Sequence, residues 1–587
     1  MINIIDVNNK TTRTFGWVQN PSNFESLKKV VAIFDNTSKT YNELKDKKIK
    51  KLVEERDGQK ELINALNANP LKIKYCNLVG TSFTPRSSAR CNGIVQATVK
   101  GQRKEFIDDW SSDNFVRWAH ALGFIKYNYD TDTFEITDAG RKYVQSEDDS
   151  NEESTILEEA MLSYPPVARV LTLLSNGEHL TKYEIGKKLG FVGEAGFTSL
   201  PLNVLIMTLD TTDEPKEKNK IKTDWDGSSD KYARMISGWL VKLGLLVQRP
   251  KLVTVDFGGE LYSETIGHAY MITDRGLKAV RRLLGINKVA RVSKNVFWEM
   301  LATKGIDKNY IRTRRAYILK ILIESNKVLT LEDIKGKLKL ASINESINTI
   351  KDDINGLINT GINIKSETTG YKIYDSINDF IIPKTGDTEG IKSNISLLKD
   401  ELRGQISHIS HDYLSLIDLA FDSKQNRLFE MKVLELLVNE YGFKGRHLGG
   451  SRKPDGIVYS TTLEDNFGII VDTKAYSEGY SLPISQADEM ERYVRENSNR
   501  DEEVNPNKWW ENFSEEVKKY YFVFISGSFK GKFEEQLRRL SMTTGVNGSA
   551  VNVVNLLLGA EKIRSGEMTI EELERAMFNN SEFILKY

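Results

Sequence analysis

The chain has 587 residues, of which 40% are hydrophobic and 28% charged, too many for one core and the ordinary composition of a soluble protein of roughly three to five domains. Its zero net charge is unevenly spread: residues 391–587 hold 25 Lys and Arg against 31 Asp and Glu, leaving an excess of six positive charges on residues 1–390, a front portion compatible with a polyanionic partner. The sequence has no apolar run of about 18 residues, no basic-then-apolar N-terminus and only two cysteines, Cys76 and Cys91, which argues against a membrane span, a secretory signal, a disulfide framework or a cysteine-rich zinc site, and for free thiols in the cytoplasm.

The first clear element is Asp109-Trp110-Ser111-Ser112-Asp113-Asn114-Phe115-Val116-Arg117, leading into an apolar helical run that ends at Leu122-Gly123-Phe124. Ser-Ser-Asp reads as a helix N-cap signal and Leu-Gly as a stop. Phe124 to Thr137 reads as strand, turn and strand, closing on Ile136-Thr137-Asp138-Ala139-Gly140. The acidic stretch 146–153 reads as a solvated linker. Helices are then expected over Val167–Leu174 and Thr181–Leu189.

The first pattern now repeats. Asp224-Trp225-Asp226-Gly227-Ser228-Ser229-Asp230-Lys231-Tyr232-Ala233-Arg234 enters a helix ending at Leu243-Gly244-Leu245, and a longer hairpin closes on Ile272-Thr273-Asp274-Arg275-Gly276. Helix, helix and hairpin is the winged-helix plan, a DNA-binding variant of the helix-turn-helix. A third unit of this shape runs through Ala316–Ser325, Leu331–Lys337 and Glu345–Asn359, with Ile362–Tyr374 as its wing. In such units the start of the recognition helix faces base edges, and Lys or Arg pairs with guanine O6 and N7. Lys231 and Arg234 stand there in the second copy. Asn114 holds the corresponding place in the first, so the copies are expected to read different bases.

Pro383 to Gly390, polar and aperiodic, reads as a hinge. Beyond it the pattern becomes α/β: helices near 391–420 and 425–441, then β-rich runs at 456–460, 468–475 and 520–526. Gly468–Ala475 reads as a buried strand ending in charge, with Asp472 and Lys474 on one side and Thr473 on the other. If this strand pairs with the one at 456, Asp455 and Asp472 come close, and two buried carboxylates call for a divalent cation. Oxygen ligands favour Mg²⁺, with the Thr473 carbonyl as a further ligand within reach. Lys474 is placed to orient or deprotonate a water, or to steady a phosphate.

Three segments of this domain closely resemble the cleavage domain of the FokI family of type IIS restriction endonucleases: His447-Leu448-Gly449-Gly450-Ser451-Arg452-Lys453-Pro454-Asp455-Gly456, Val471-Asp472-Thr473-Lys474-Ala475-Tyr476, and Leu482-Pro483-Ile484-Ser485-Gln486-Ala487-Asp488-Glu489-Met490. The likeness extends to Arg13-Thr14-Phe15-Gly16-Trp17-Val18-Gln19-Asn20-Pro21 and to both Ser-Ser-Asp repeats. It implies three winged-helix (helix-turn-helix) recognition subdomains followed by an α/β PD-(D/E)xK nuclease domain, divided as 1–150, 151–288, 289–382, a linker at 383–390, and 391–587. It implies a catalytic set of Asp455, Asp472 and Lys474. It also implies cutting outside an asymmetric site, GGATG or a close relative, with double-stranded DNA and a second copy of the chain as partners. Gln19, Asn20, Arg86, Ser87, Trp110 and Trp225 match family positions that contact DNA. Asp226 stands where the family enzyme has Glu, and Thr223 where it has Asn. Asp488 and Arg492 match residues that bridge paired cleavage domains, although their spacing equally permits a bond within one helix, worth about 0.3–0.5 kcal/mol. Arg495 replaces an acid, which leaves open a nicking enzyme whose domains pair poorly. A DNA-binding regulator with an inactive nuclease-like domain is the other alternative.

Overall fold

A computed structural model describes residues 4–7, 13, 15–52, 56–80, 93–101, 106–257, 260–286, 291–384 and 392–585. The two repeats fold alike, for reasons visible atom by atom. Helices Asp109–Ala121 and Ser228–Lys242 each stop at a glycine of positive φ, Gly123 at 74° and Gly244 at 70°, the left-handed conformation that ends a helix at little cost. Each continues into an antiparallel sheet: Ile125–Asn128 with Thr133–Ile136, and Leu246–Gln248 with Ala269–Ile272. Thr137 and Thr273 then cap the next helix, accepting from Gly140 N and Gly276 N at 3.1 Å each. A Cβ at Gly140 would lie 2.1 Å from the Phe124 carbonyl, and one at Gly276 2.2 Å from that of Leu245. The repeated Ile-Thr-Asp-x-Gly is thus a cap plus a close backbone approach that only glycine permits.

The Ser-Ser-Asp clusters do not supply the caps themselves. Asp108 caps the first helix, its carboxylate accepting from Ser111 N at 2.7 Å. The second helix begins after Gly227, whose N–H donates 2.8 Å back to Asp230 in the first turn. The second unit adds a long ribbon, Lys251–Phe257 against Glu260–Ile266. The third has helices Lys308–Ser325, Leu331–Leu340 and Ile347–Asn359, and the hairpin Ile364–Glu367 with Gly370–Ile373. Trp118 and Trp239, one on each repeat helix, stack at 4.8 Å in a core continuous through all three units.

The expected hinge starts too early at 383. Ile382, Pro383 and Lys384 form a strand parallel to Ile4–Asp6, where the missing proline N–H is tolerated on a two-stranded edge; residues 385–390 lie outside the described residues.

The last domain is built on a five-stranded sheet in the order Lys444–His447, Gly456–Tyr459, Phe467–Lys474, Lys519–Ser526 and Gly548–Asn552. The first three strands are antiparallel and the rest run parallel. Helix Asn426–Asn439 packs on the first three strands. This domain shares a core with the second unit: Val204, Leu205, Ile206, Met207, Leu209, Trp225, Tyr262 and Ile266 lie in one apolar cluster with Leu416, Leu437 and Val458. Ion pairs Arg446–Asp210 (3.3 Å) and Arg427–Asp224 (3.4 Å) rim that contact. Among the described residues no helix is long and apolar enough to cross a membrane.

Candidate active site and DNA-reading face

Strand register creates the acidic site. Gly456 pairs with Val471 and Ile457 with Ile470, so Asp455 and Asp472 leave the ladder at the same end. Asp455 Oδ2 accepts from Thr473 N at 2.7 Å and Thr473 Oγ1 at 2.9 Å, which leaves Oδ1 without a hydrogen bond among the described residues. Lys474 Nζ lies 3.0 Å from Asp472 Oδ1 and 2.9 Å from Oδ2, as their shared side of the strand requires. Burial, then Asp472, then Glu430, push the Asp455 carboxyl well above the usual carboxylate range. Burial also raises Asp472, against the pull of Lys474. Despite its own burial, Lys474 is held above the ordinary lysine value by Asp472 and Asp455.

Two carboxylates destabilised by each other and by burial form a cation-binding arrangement. Among the described residues no group of three or more ligating side chains gathers here. The donor set fits a hard divalent ion that takes one or two carboxylates and completes its shell with water. Glu430 is a neighbour that sequence reading misses. It lies on helix Asn426–Asn439 and accepts from His447 Nε2 at 3.1 Å if that nitrogen is protonated. One helical glutamate carries no spacing signal, so only the packing of its helix against the sheet brings it here.

The expected DNA-reading residues separate on folding. Lys231 and Asn20 are exposed and Gln19 is half-buried. Trp110 is 45% exposed. Arg234 is partly exposed and paired with Asp226 at 2.9 Å. Three of the expected residues are engaged within the chain. Asn114 is buried, its Oδ1 accepting from Gln19 N at 3.0 Å and its Nδ2 donating to the Trp110 carbonyl at 2.8 Å; both ends of the amide are used in holding the N-terminal arm. Trp225 is fully buried, edge-on to His447 at 5.6 Å, so it faces the nuclease domain and not an open surface. Asp226, with its side chain only 6% exposed, is taken up by Lys182 and Arg234. Arg86 and Ser87 lie outside the described residues, as does Cys91, whereas Cys76 is a free thiol.

Asp488 and Arg492 lie on helix Ile484–Asn499 and do not bond each other. Asp488 accepts from Arg539 Nη2 at 2.6 Å, and Arg492 meets Glu489 at 3.3 Å and Glu496 at 3.7 Å. Arg495 donates to Glu491 at 2.8 Å and to the Thr543 carbonyl at 3.1 Å, so its charge is balanced within the chain.

Four family models match the chain: the FokI recognition domain, subdomain 1, at residues 13–146 and subdomain 2 at 153–256; the FokI D3 domain at 301–369; and the FokI cleavage domain at 392–584. Type II restriction enzyme FokI of Planomicrobium okeanokoites is 51% identical over 574 residues, covering 97% of this chain and 99% of that protein. Type II restriction enzyme StsI of Streptococcus sanguinis is 32% identical, covering 98% and 97%. Solved structures of FokI and of FokI bound to DNA superpose with TM-scores of 0.91 and 0.93, each at 50% identity and covering 98% of this chain and all of theirs. The chain belongs to the FokI family of type II restriction enzymes, site-specific deoxyribonucleases in which recognition subdomains precede a cleavage domain.

Proposed function

We propose that the protein binds a short asymmetric duplex site, GGATG or a close relative, and hydrolyses both strands at a fixed distance outside it, using Mg²⁺ and paired cleavage domains. The observation that carries this reading is the juxtaposition of Asp455, Asp472 and Lys474 at one end of two paired strands. Asp455, Asp472 and the Thr473 carbonyl would hold the ion. When bound, Mg²⁺ supplies Lewis acidity toward the phosphate and makes a water more acidic.

The chain's own groups do the rest. Thr473 fixes Asp455 through two hydrogen bonds, and Asp472 holds the Lys474 ammonium beside the carboxylates. From there Lys474 steadies phosphate charge as water adds to phosphorus and one P–O ester bond breaks. A plasmid carrying one site, incubated with Mg²⁺, tests the whole reading. Linear product supports it, nicked circle favours a single-strand enzyme, and intact plasmid with retained binding favours a regulator.

Reading of the site is assigned to Lys231 and Arg234 at the start of the Ser228–Lys242 helix. Lys231→Ala and Arg234→Ala are each expected to weaken binding to the true site by about 1–3 kcal/mol, with far smaller loss on random duplex. Fluorescence anisotropy in EDTA measures both, and equal loss on the two DNAs would make these residues phosphate clamps.

Pairing of cleavage domains is assigned to Asp488 and Arg492, which would exchange their present partners for each other's across a two-fold axis. Asp488→Arg alone, or Arg492→Asp alone, should accumulate nicked circle. An equimolar mixture should restore linearisation, because each new cation then faces an anion. With exposed bridges worth about 0.2–1 kcal/mol each, the shift is severalfold. Full linearisation by Asp488→Arg alone at low enzyme would remove this pair from the interface.

A further inference from the structure

The Trp225–Asp226 pair that leads into the Ser228–Lys242 helix is gripped by a second pair of neighbours. Lys182 Nζ donates to Asp226 Oδ1 at 3.0 Å, and the Tyr183 hydroxyl donates to the Trp225 carbonyl at 2.8 Å. The other Asp226 oxygen faces Arg234 Nη1 at 2.9 Å. Side-chain exposure climbs along this chain of charges, from 4% at Lys182 through 6% at Asp226 to 40% at Arg234. Lys182 is anchored by its own N–H, which donates to the His268 carbonyl at 2.8 Å.

A guanidinium that reads a base must present its donor edge in one plane. Arg234 meets a carboxylate whose other oxygen is pinned from behind by a buried ammonium, and this restricts the direction the arginine takes. Without that ammonium Asp226 would be a nearly buried anion with Arg234 as its sole counter-charge. Arg234 would then be drawn inward, away from any DNA on the surface. Burial lowers the Lys182 pKa, Asp226 and Asp230 oppose that, and Arg234 adds to it; the role is carried by the geometry of the Lys182–Asp226 bond and its burial.

We propose that Lys182 is a specificity-determining positioning residue, which neutralises Asp226 from the buried side so that Arg234 stays aimed at the DNA, and which touches no DNA itself. The proposal rests on Arg234 being a base contact.

The test measures binding of full-length Lys182→Met, Lys182→Gln and Arg234→Ala in EDTA. The probes are the duplex that the unmodified enzyme selects, its single-base-pair variants, and random duplex, each at several salt concentrations. Lys182→Met should bind the selected duplex about 5- to 100-fold more weakly, with random binding and salt slope unchanged because no phosphate contact is lost. Its penalty should fall at the same base pair as that of Arg234→Ala. Lys182→Gln, which keeps a donor for Asp226, should retain part of the discrimination. Unaltered discrimination in a folded Lys182→Met overturns the proposal, and so does equal loss on every duplex. If the Met variant fails to fold, Lys182→Gln decides by the same criteria. Equal loss on all duplexes in Arg234→Ala would instead overturn the base-contact reading beneath it.

Discussion

Asp455→Asn should lose cleavage by on the order of a thousandfold or more, a loss of several kcal/mol of transition-state stabilisation, and at the same time melt at a higher temperature than the unmodified enzyme in metal-free buffer at neutral pH. The Asp455 carboxyl is raised far above its ordinary value by burial, by Asp472 and by Glu430. Its ionised form therefore costs the folded state free energy. The sign follows from linkage. Below about pH 4 the carboxyl is protonated in both the folded and the unfolded chain, and no penalty exists. As pH rises the unfolded chain ionises first, so the penalty grows and is complete above the folded value. Asparagine removes the charge and keeps an oxygen for the Thr473 donors. The stability gain should thus be absent near pH 4 and present at pH 7 and above. Scanning calorimetry across pH checks this against plasmid cleavage. An inactive variant that melts lower at pH 7 would make Asp455 a structural anchor and not part of a functional site held under strain. Binding to the selected duplex in EDTA should be unchanged.

Asp353→Ala should destabilise the protein by about 3–5 kcal/mol in denaturant unfolding, although no catalytic or DNA-facing role is assigned to it. Asp353 accepts from Arg314 Nε at 2.6 Å and from Arg315 Nε at 2.7 Å, with all three side chains at most 6% exposed. Arg314 also reaches Glu345 at 3.1 Å, and Glu345 meets Lys392 at 2.6 Å at the start of the cleavage domain. Removing Asp353 leaves two buried guanidinium groups sharing the remaining acids. Although burial works to raise the Asp353 carboxyl, Arg314 and Arg315 hold it below its ordinary value. Its stabilisation is therefore present above the unfolded carboxylate range and is lost as pH falls through the lower folded value. The deficit of the variant should be large at neutral pH and shrink in acid. A change under 1 kcal/mol at pH 7 would mean that Glu345 and Glu194, which also pairs with Arg315, suffice alone.

Local chemistry in the sequence determined much of this protein. The twin Leu-Gly stops and Ile-Thr-Asp-x-Gly closings announce two similar units because caps and tight backbone approaches depend on a few adjacent residues. The period-two placement of Asp472 and Lys474 determined that they share a side, and the structure puts them 2.9 Å apart. The strands Lys444–His447 and Gly548–Asn552 were not legible, since neither carries an apolar alternation or a β-branched run. Tertiary structure alone decided the fates of Asn114, Trp225 and Asp226. Each sits where a DNA contact was expected, yet each is consumed by a neighbour distant in sequence: the N-terminal arm at Gln19, the nuclease domain at His447, and the buried Lys182. The partners of Asp488 and Arg492 were decided the same way, by Arg539 on another helix and by acids one turn along their own. A residue's type and spacing state what it can bond. Which of the available partners it meets is a question of packing, settled only when separate segments of the chain come into contact.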